Sequence, residues 1–158
     1  MSTLRVREYE PADAEAVWAV HERALRASPI PCVEDAPADD DLRAIAEHYL
    51  EPADAAFLVG TVDGEVVATG GYRGTDDETV EIRRMRVDPD HRRNGHARRL
   101  LDRLEARAAA EGFERAVLET HEDLTAARAL YEDAGYAAVG SWPHPAGDTS
   151  LYRYAKRL

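Results

Sequence analysis

Cysteine is almost missing from this chain. Cys32 stands alone among 158 residues, so no disulfide can close within it and a cysteine-rich metal site is excluded. Long apolar runs are missing too: "AAFLV" at Ala55–Val59 is typical of the longest, far short of the ~18 residues a membrane helix needs. The first residues, "MSTLRVREYEPADAE", are charged throughout and lack the apolar centre of a secretory signal. Lysine is the scarcest charge, since Lys156 is the one lysine among 20 Lys and Arg. With a net charge of −11, the chain lacks the broad basic surface on which nucleic-acid affinity rests. The expectation is a cytoplasmic protein with no nucleic-acid partner and no membrane partner. An acidic, lysine-poor surface of halophilic character stays soluble in concentrated salt. A GC-rich genome gives the same bias, and composition fits both.

What is present stands out against that background. The segment Ile82–Arg103 holds eight arginines (83, 84, 86, 92, 93, 98, 99 and 103) against three aspartates. A small basic island in an acidic chain suits a compact anionic ligand better than a polymer.

Apolar periodicity orders the chain as one domain, residues 1–158. "LRVREY" alternates as a half-buried strand, and a helix follows Pro11, with Val17, Val20, Ala24 and Leu25 on one face. The Pro- and Asp-rich stretch Ser28–Asp41 reads as a loop, and a second helix is expected from Asp40 to about Leu50, closed by Pro52. "AAFLVGTV" and "EVVATGGYR", joined by Asp63-Gly64, form a hairpin, and "TVEIRRMRV" is a third strand. The helix "GHARRLLDRLEARAAAEG" then carries Ala97, Leu100, Leu101, Leu104 and Ala108 on one face. A buried strand "RAVLET", a helix "LTAARALYEDAG" and two strands joined by a Pro-Gly turn complete the order. The fold class is α/β, a mixed sheet in the order β-α-α-β-β-β-α-β-α-β-β.

The arginine island contains its own explanation. A strand ends at Val87, a loop runs through Arg92-Arg93-Asn94-Gly95-His96-Ala97, and a helix begins. The first amide N–H groups of a helix have no partner within it, and its dipole adds positive potential there. Small residues at 95 and 97 let an anion approach the backbone, where successive N–H groups form a concave nest. The Lys-Ser/Thr of a P-loop and the three glycines of a dinucleotide fingerprint are absent. On these residues alone, a phosphate cradle and a solvated basic turn both stand.

The segment resembles the GCN5-related N-acetyltransferase family. That family's coenzyme signature, Gln/Arg-x-x-Gly-x-Gly/Ala, is matched by Arg92 to Ala97, after the usual Val-x-Pro at Val87-Asp88-Pro89. "ALYEDAGY" at Ala129–Tyr136 is similar to the family's second signature, Leu-Tyr-x-x-x-Gly-Phe/Tyr. The resemblance implies a GNAT-like, mainly antiparallel sheet with helices on both faces, and acetyl-CoA as cosubstrate without a metal. It implies that the N–H groups of Arg93, Asn94, Gly95, His96, Ala97 and Arg98 hold the pyrophosphate, with Arg92 and neighbouring arginines helping the other phosphates. The strand around Met85 and Val87 would splay from the "RAVLET" strand and pair with the pantetheine arm as an added strand does.

For catalysis, the resemblance makes Tyr131 the group that protonates the departing thiolate; otherwise it is a half-buried helix aromatic. It also offers Glu81 as the base that takes a proton from the acceptor ammonium, through a carboxyl raised by burial. An ion pair with Arg83 or Arg84 is the alternative for Glu81, and His121 is the rival base. His96 departs from the family's small or aliphatic residue and is expected to face solvent. Leu124 stands where the family often has an asparagine, which places one coenzyme contact in question. The implied activity is direct acetyl transfer to a primary amine of a small molecule. A non-catalytic acyl-CoA sensor, or an acetyltransferase of protein or RNA, is the alternative. A cationic acceptor would be drawn to "EDAPADDD" at Glu34–Asp41 if that run borders the site. The acceptor's determinants are expected in the first two helices, their loop and the terminal strands near Trp142 and His144. Those strands could also supply the interface of a homodimer, as is common in the family.

Overall fold

The computed structural model describes residues 3–28, 37–143 and 149–158. Seven strands form one sheet: β1 (Arg5–Glu8), β2 (Ala55–Val62), β3 (Glu65–Gly74), β4 (Thr79–Val87), β5 (Arg115–His121), β6 (Ala137–Pro143) and β7 (Ser150–Arg157). Their spatial order is β1-β2-β3-β4-β5-β7-β6. Every neighbouring pair is antiparallel except β4 and β5, which run parallel. Among the described residues, three α-helices accompany the sheet: α1 (Ala14–Arg26), α2 (His96–Ala110) and α3 (Thr125–Asp133). A parallel pair needs a crossover, and α2 supplies it between β4 and β5. The expected mixed, mainly antiparallel sheet is therefore present.

Alternation along β2 separates the two faces. Ala56 and Leu58 join the cluster packed on α2, with Ala68, Tyr72, Val80, Ile82, Leu100, Leu101 and Leu104. Phe57 and Val59 point the other way, into a second cluster with Val17 of α1, Leu42, Ile45 and Tyr49. Because both faces are covered, all eight residues of β2 are buried. On the α2 side, two buried polar groups are satisfied rather than orphaned. Tyr136 donates its hydroxyl to Glu105 at 2.8 Å, and Lys156 donates to the same carboxylate at 2.7 Å. Burial, reinforced by the Glu105 charge, pushes the Tyr136 phenol far above its ordinary value.

Two helical expectations need correction. Pro11–Asp13 forms a 3-10 turn, and α1 starts only at Ala14. Asp13 anchors that turn by accepting from the Glu10 N–H at 2.9 Å and from both terminal nitrogens of Arg7. The second helix is not α-helical: Pro37–Arg43 is a 3-10 helix and Ala46–Leu50 a π-helical turn. The spacing of Leu42, Ile45 and Tyr49 still puts three apolar side chains on one buried side, which is why a helical period was legible there. The expected Pro-Gly turn between the last two strands, and Cys32, lie outside the described residues.

Candidate active site

The sheet is split where β4 and β5 meet. Their ladder holds for only three pairs, Thr79 with Arg115, Val80 with Ala116 and Glu81 with Val117. Beyond it, β5 stays paired with β7 through His121, while β4 stays paired with β3 through Val87. The two strands thus diverge from Glu81 onward. Between Ile82 and Val87, β4 has no ladder partner on its β5 side among the described residues. Met85 and Val87, the expected pantetheine partners, lie on this open stretch.

β4 also carries a bulge. Thr69 of β3 faces Arg86 and Gly71 faces Arg83, so Gly70 alone opposes both Arg84 and Met85. Arg84 has φ +60, an unusual conformation for a residue with a side chain. The sequence held a signal of this that alternation alone overlooked. Val80 and Ile82 pack on the α2 face, but the next residues to do so are Met85 and Val87. That one-residue slip of phase is the mark of a bulge.

Past β4 the chain turns through a 3-10 turn, Pro89–His91, into α2. Asp88, almost fully buried, caps that turn by accepting from the Asp90 N–H at 3.0 Å. Arg23 of α1 donates to the same carboxylate at 2.9 Å, so the first helix is tied to the root of this loop. Asn94 donates its amide to the carbonyls of His91 and Arg92, at 3.1 and 3.3 Å, and draws the loop into a tight bend. Arg93 (φ +67) and Gly95 (φ +75) both adopt the left-handed region, in alternation with their neighbours. Such alternation turns successive N–H groups to one side.

No side chain caps the start of α2, so the amide groups of the first turn face outward without an internal acceptor. A Cβ at Gly95 would meet nothing within 4 Å, so the approach is open. Arg92, Arg93 and Asn94 are exposed, while Ala97 and Arg98 are half-buried, and Arg98 pairs with Asp102 at 3.1 Å. The expectation that His96 faces solvent is wrong. It is 8% exposed, its ring lies 6.4 Å from that of His91, and its Nδ1 is buried without a partner among the described residues. Burial, with the nearby His91 and Arg99 charges, lowers its pKa. An uncapped helix start, two left-handed residues and open space above Gly95 fit a pyrophosphate group well.

The candidate catalytic residues flank the divergence. Glu81 closes the parallel ladder, at the apex of the opening, and is half-buried. Its carboxylate lies 3.4 Å from the Arg83 Nε, so the ion pair foreseen as its alternative role is formed. Tyr131, on α3, packs in the α2-side core against Tyr136 with ring centroids 5.9 Å apart. Among the described residues, no hydrogen bond engages its hydroxyl. Burial pushes that phenol up to about 12, opposed by the positive charge of Arg86 on β4.

His121 is committed elsewhere. Its Nδ1 accepts from the Asp123 N–H at 3.0 Å, so its Nε2 carries the proton toward Thr149 Oγ, 2.6 Å away. With both ring nitrogens bonded and 4% exposure, it closes the end of β5 rather than serving as a free base. The acidic run Glu34–Asp41 is described only at its end, where Asp41 is buried against Arg84 instead of facing an acceptor. Trp142 lies on β6, and His144 is outside the described residues. Among the described residues, no three His, Cys, Asp or Glu side chains gather to hold a metal ion, and no helix is long and apolar enough to cross a membrane.

Comparison with known proteins follows the same lines. The model of the acetyltransferase (GNAT) family matches residues 15–136. N-acetylaspartate synthetase of Danio rerio is 36% identical over 101 residues, covering 63% of this chain and 36% of that protein. The human N-acetylaspartate synthetase is 33% identical over 105 residues, covering 66% and 35%. The chain therefore spans about a third of the length of the synthetases it matches. Among solved structures, an acetyltransferase of the GNAT family from Staphylococcus aureus superimposes with a TM-score of 0.86 at 20% identity, covering 99% of both chains. An acetyltransferase from Salmonella typhimurium, solved with its cofactor acetyl-CoA, gives 0.82 at 22%, covering 99% and 95%. With its family signature at the start of α2 and its family topology around the split sheet, the chain belongs to the acetyltransferase (GNAT) family.

Proposed function

We propose that the protein is an N-acetyltransferase that moves acetyl from acetyl-CoA directly to the primary amine of a small-molecule acceptor. The observation that carries this reading is continuity. The open edge of β4 runs, within a single loop, into the uncapped start of α2. A ligand with a phosphate end and an amide-bearing arm fits that sequence of features, and acetyl-CoA supplies both, together with an activated acyl group.

The amides from Arg93 to Arg98 hold the pyrophosphate, and Arg92 adds charge at the rim. The backbone of Met85 and Val87 pairs with the arm. Tyr131 keeps its proton throughout the neutral range and donates it as a hydrogen bond to a departing thiolate. An aliphatic thiolate, with a thiol pKa near ~8.5, leaves fairly well unaided, so the tyrosine assists rather than enables. Glu81 takes the ammonium proton, directly or through water, once Arg83 is drawn away from it. Placement of the reacting groups supplies the larger part of the acceleration.

Within amines, an amino acid is favoured over a polyamine. Arg83 stands beside Glu81 and Arg86 lies further along the open stretch of β4, a setting that suits an acceptor bearing a carboxylate. The relatives' name, N-acetylaspartate synthetase, agrees with that chemistry. The test has two steps. Acetyl-CoA at ~100 times its dissociation constant should stabilise the folded protein by about 2.7 kcal/mol, read as a rise in melting temperature. Thiol release is then followed with panels of amino acids and polyamines. No thermal shift in well-folded protein would sink the transferase reading. A shift without thiol release from any acceptor would favour the acyl-CoA sensor.

A further inference from the structure

The bulge in β4 is held from three directions. From β3, Thr69 Oγ1 donates to the Arg84 carbonyl at 2.9 Å, taking that group out of the regular ladder. From the 3-10 helix Pro37–Arg43, the Asp41 carboxylate receives two nitrogens of Arg84, Nε at 3.0 Å and Nη2 closer still. From the π-helical turn, the Tyr49 hydroxyl donates to Asp41 Oδ2, the oxygen that also accepts from Arg84 Nε. Tyr49 is fully buried, Asp41 is 6% exposed, and the Arg84 side chain 11%. The residues span 43 positions of sequence yet form one polar unit.

Stability is a poor reason for such a unit. Desolvating two charges offsets much of their attraction, and well-packed apolar residues often serve the fold equally well. Here the guanidinium belongs to the residue that adopts φ +60, a conformation that costs a residue with a Cβ roughly 1–2 kcal/mol. The β3 strand is shaped to the same end. A Cβ at Gly70 would lie 2.5 Å from Met85 Sδ, and one at Gly71 would crowd Tyr49 at 3.3 Å. The glycine pair lets the bulge close on one face and the clamp on the other.

We propose that Asp41 and Tyr49 are positioning residues: by gripping Arg84 they hold the β4 bulge so that a peptide N–H faces the acetyl carbonyl in the open cleft. This rests on the acetyl-CoA reading above. A bulge leaves its extra peptide unpaired, and this one lies where β5 has already diverged. A preset N–H aimed at a carbonyl that becomes an oxyanion stabilises the transition state without reorganisation. The burial of Asp41 would by itself raise its carboxyl. The bonds from Arg84 and Tyr49 outweigh that and hold it below the usual carboxylate range, so the clamp stays ionised at neutral pH.

The experiment needs no acceptor. Acetyl-CoA labelled with 13C at the thioester carbonyl is bound to the wild type and to two double variants, and the carbonyl stretch is read by difference infrared spectroscopy. Binding is measured in parallel by calorimetry. Both variants, Asp41→Asn/Arg84→Ala and Asp41→Asn/Arg84→Gly, lack the clamp, but only glycine accepts φ +60 without cost. The expected result is a band shifted to lower frequency in the wild type, lost in the alanine variant and largely kept in the glycine variant. Affinity should persist in all three, because the phosphate loop is untouched. An unshifted band in wild type that binds the ligand overturns the proposal, as does a shift that survives in the alanine variant or vanishes equally in both. Should the alanine variant not fold, Arg84→Lys keeps the charge but loses the two-point grip. A weakened shift is expected there, and an unchanged one also overturns the idea. Wild type that fails to bind acetyl-CoA at all takes down the transferase reading, and this proposal with it.

Discussion

The two halves of β4 are made to different specifications. From Thr79 to Glu81 the strand is paired with β5, and from Val80 onward with β3 as well, and Thr79, Val80 and Ile82 are buried. From Arg83 to Val87 it is bonded on one edge only, bulged, and half-buried throughout. One strand therefore does two jobs in succession: its first half closes the sheet, and its second half withholds closure to leave backbone groups for a ligand. Nine residues suffice because a single bulge and a single divergence separate the roles.

The comparison breaks most easily at the closed half. Ile82→Ala removes a buried side chain at the junction and should cost about 2–5 kcal/mol of stability, read by denaturant unfolding. A negligible loss would mean that stability does not reside in that half. Next in size is the loop that the open half feeds. Gly95→Glu places bulk and negative charge at a left-handed position over the cradle. It should weaken acetyl-CoA about 100-fold, or about 2.7 kcal/mol, in a titration, with the apo protein losing only roughly 1–2 kcal/mol to the left-handed backbone. Retained affinity would mean the phosphates bind elsewhere.

Smaller effects sharpen the division. Tyr131→Phe should lower kcat about 10-fold while leaving acetyl-CoA binding intact, and Glu81→Gln should do the same. Full activity in the phenylalanine variant would reduce Tyr131 to packing, and an unchanged pH–rate profile in the glutamine variant would remove Glu81 as the base. The smallest effect concerns His96. Its folded pKa lies below its unfolded value, so the native state binds fewer protons there. No penalty exists well above pH ~6.5, and one builds as pH falls from there through the lowered folded pKa. The apo protein should therefore lose melting temperature over that interval, and His96→Asn should flatten the slope. An identical slope in both proteins would show that the imidazole is not the source.

Much of this was legible in the sequence because it was local. Alternation in "LRVREY", the Asp-Gly turn and the 3.6-residue stripe of Leu100, Leu101 and Leu104 each draw on near neighbours. The cradle was legible because its signal, Arg-x-x-Gly-x-Ala between a strand and a helix, is contiguous. What stayed hidden depends on distant partners. Nothing around Asp41 announces a bond to Arg84, since one acid in a run of acids looks like solvated surface. In sequence His96 is a polar residue in a polar loop, and only the packing of the loop around it puts the ring inside. The 3-10 and π turns of residues 37–50 share the apolar spacing of an α-helix, so periodicity could not tell them apart.

The strand order sets a schedule for assembly. β1 aside, β2, β3 and β4 pair with their nearest neighbours in the chain, so this wall of the cleft needs only short closures. β5 has a three-pair hold on β4, and its long antiparallel partner, β7, arrives after α3 and β6 have been made. The entropy of closing that longer loop must be met before the pairing gives anything back. During synthesis, then, the wall that offers open peptide groups stands first and the wall that diverges from it is completed later. Until that moment β5 is an exposed edge in search of a strand.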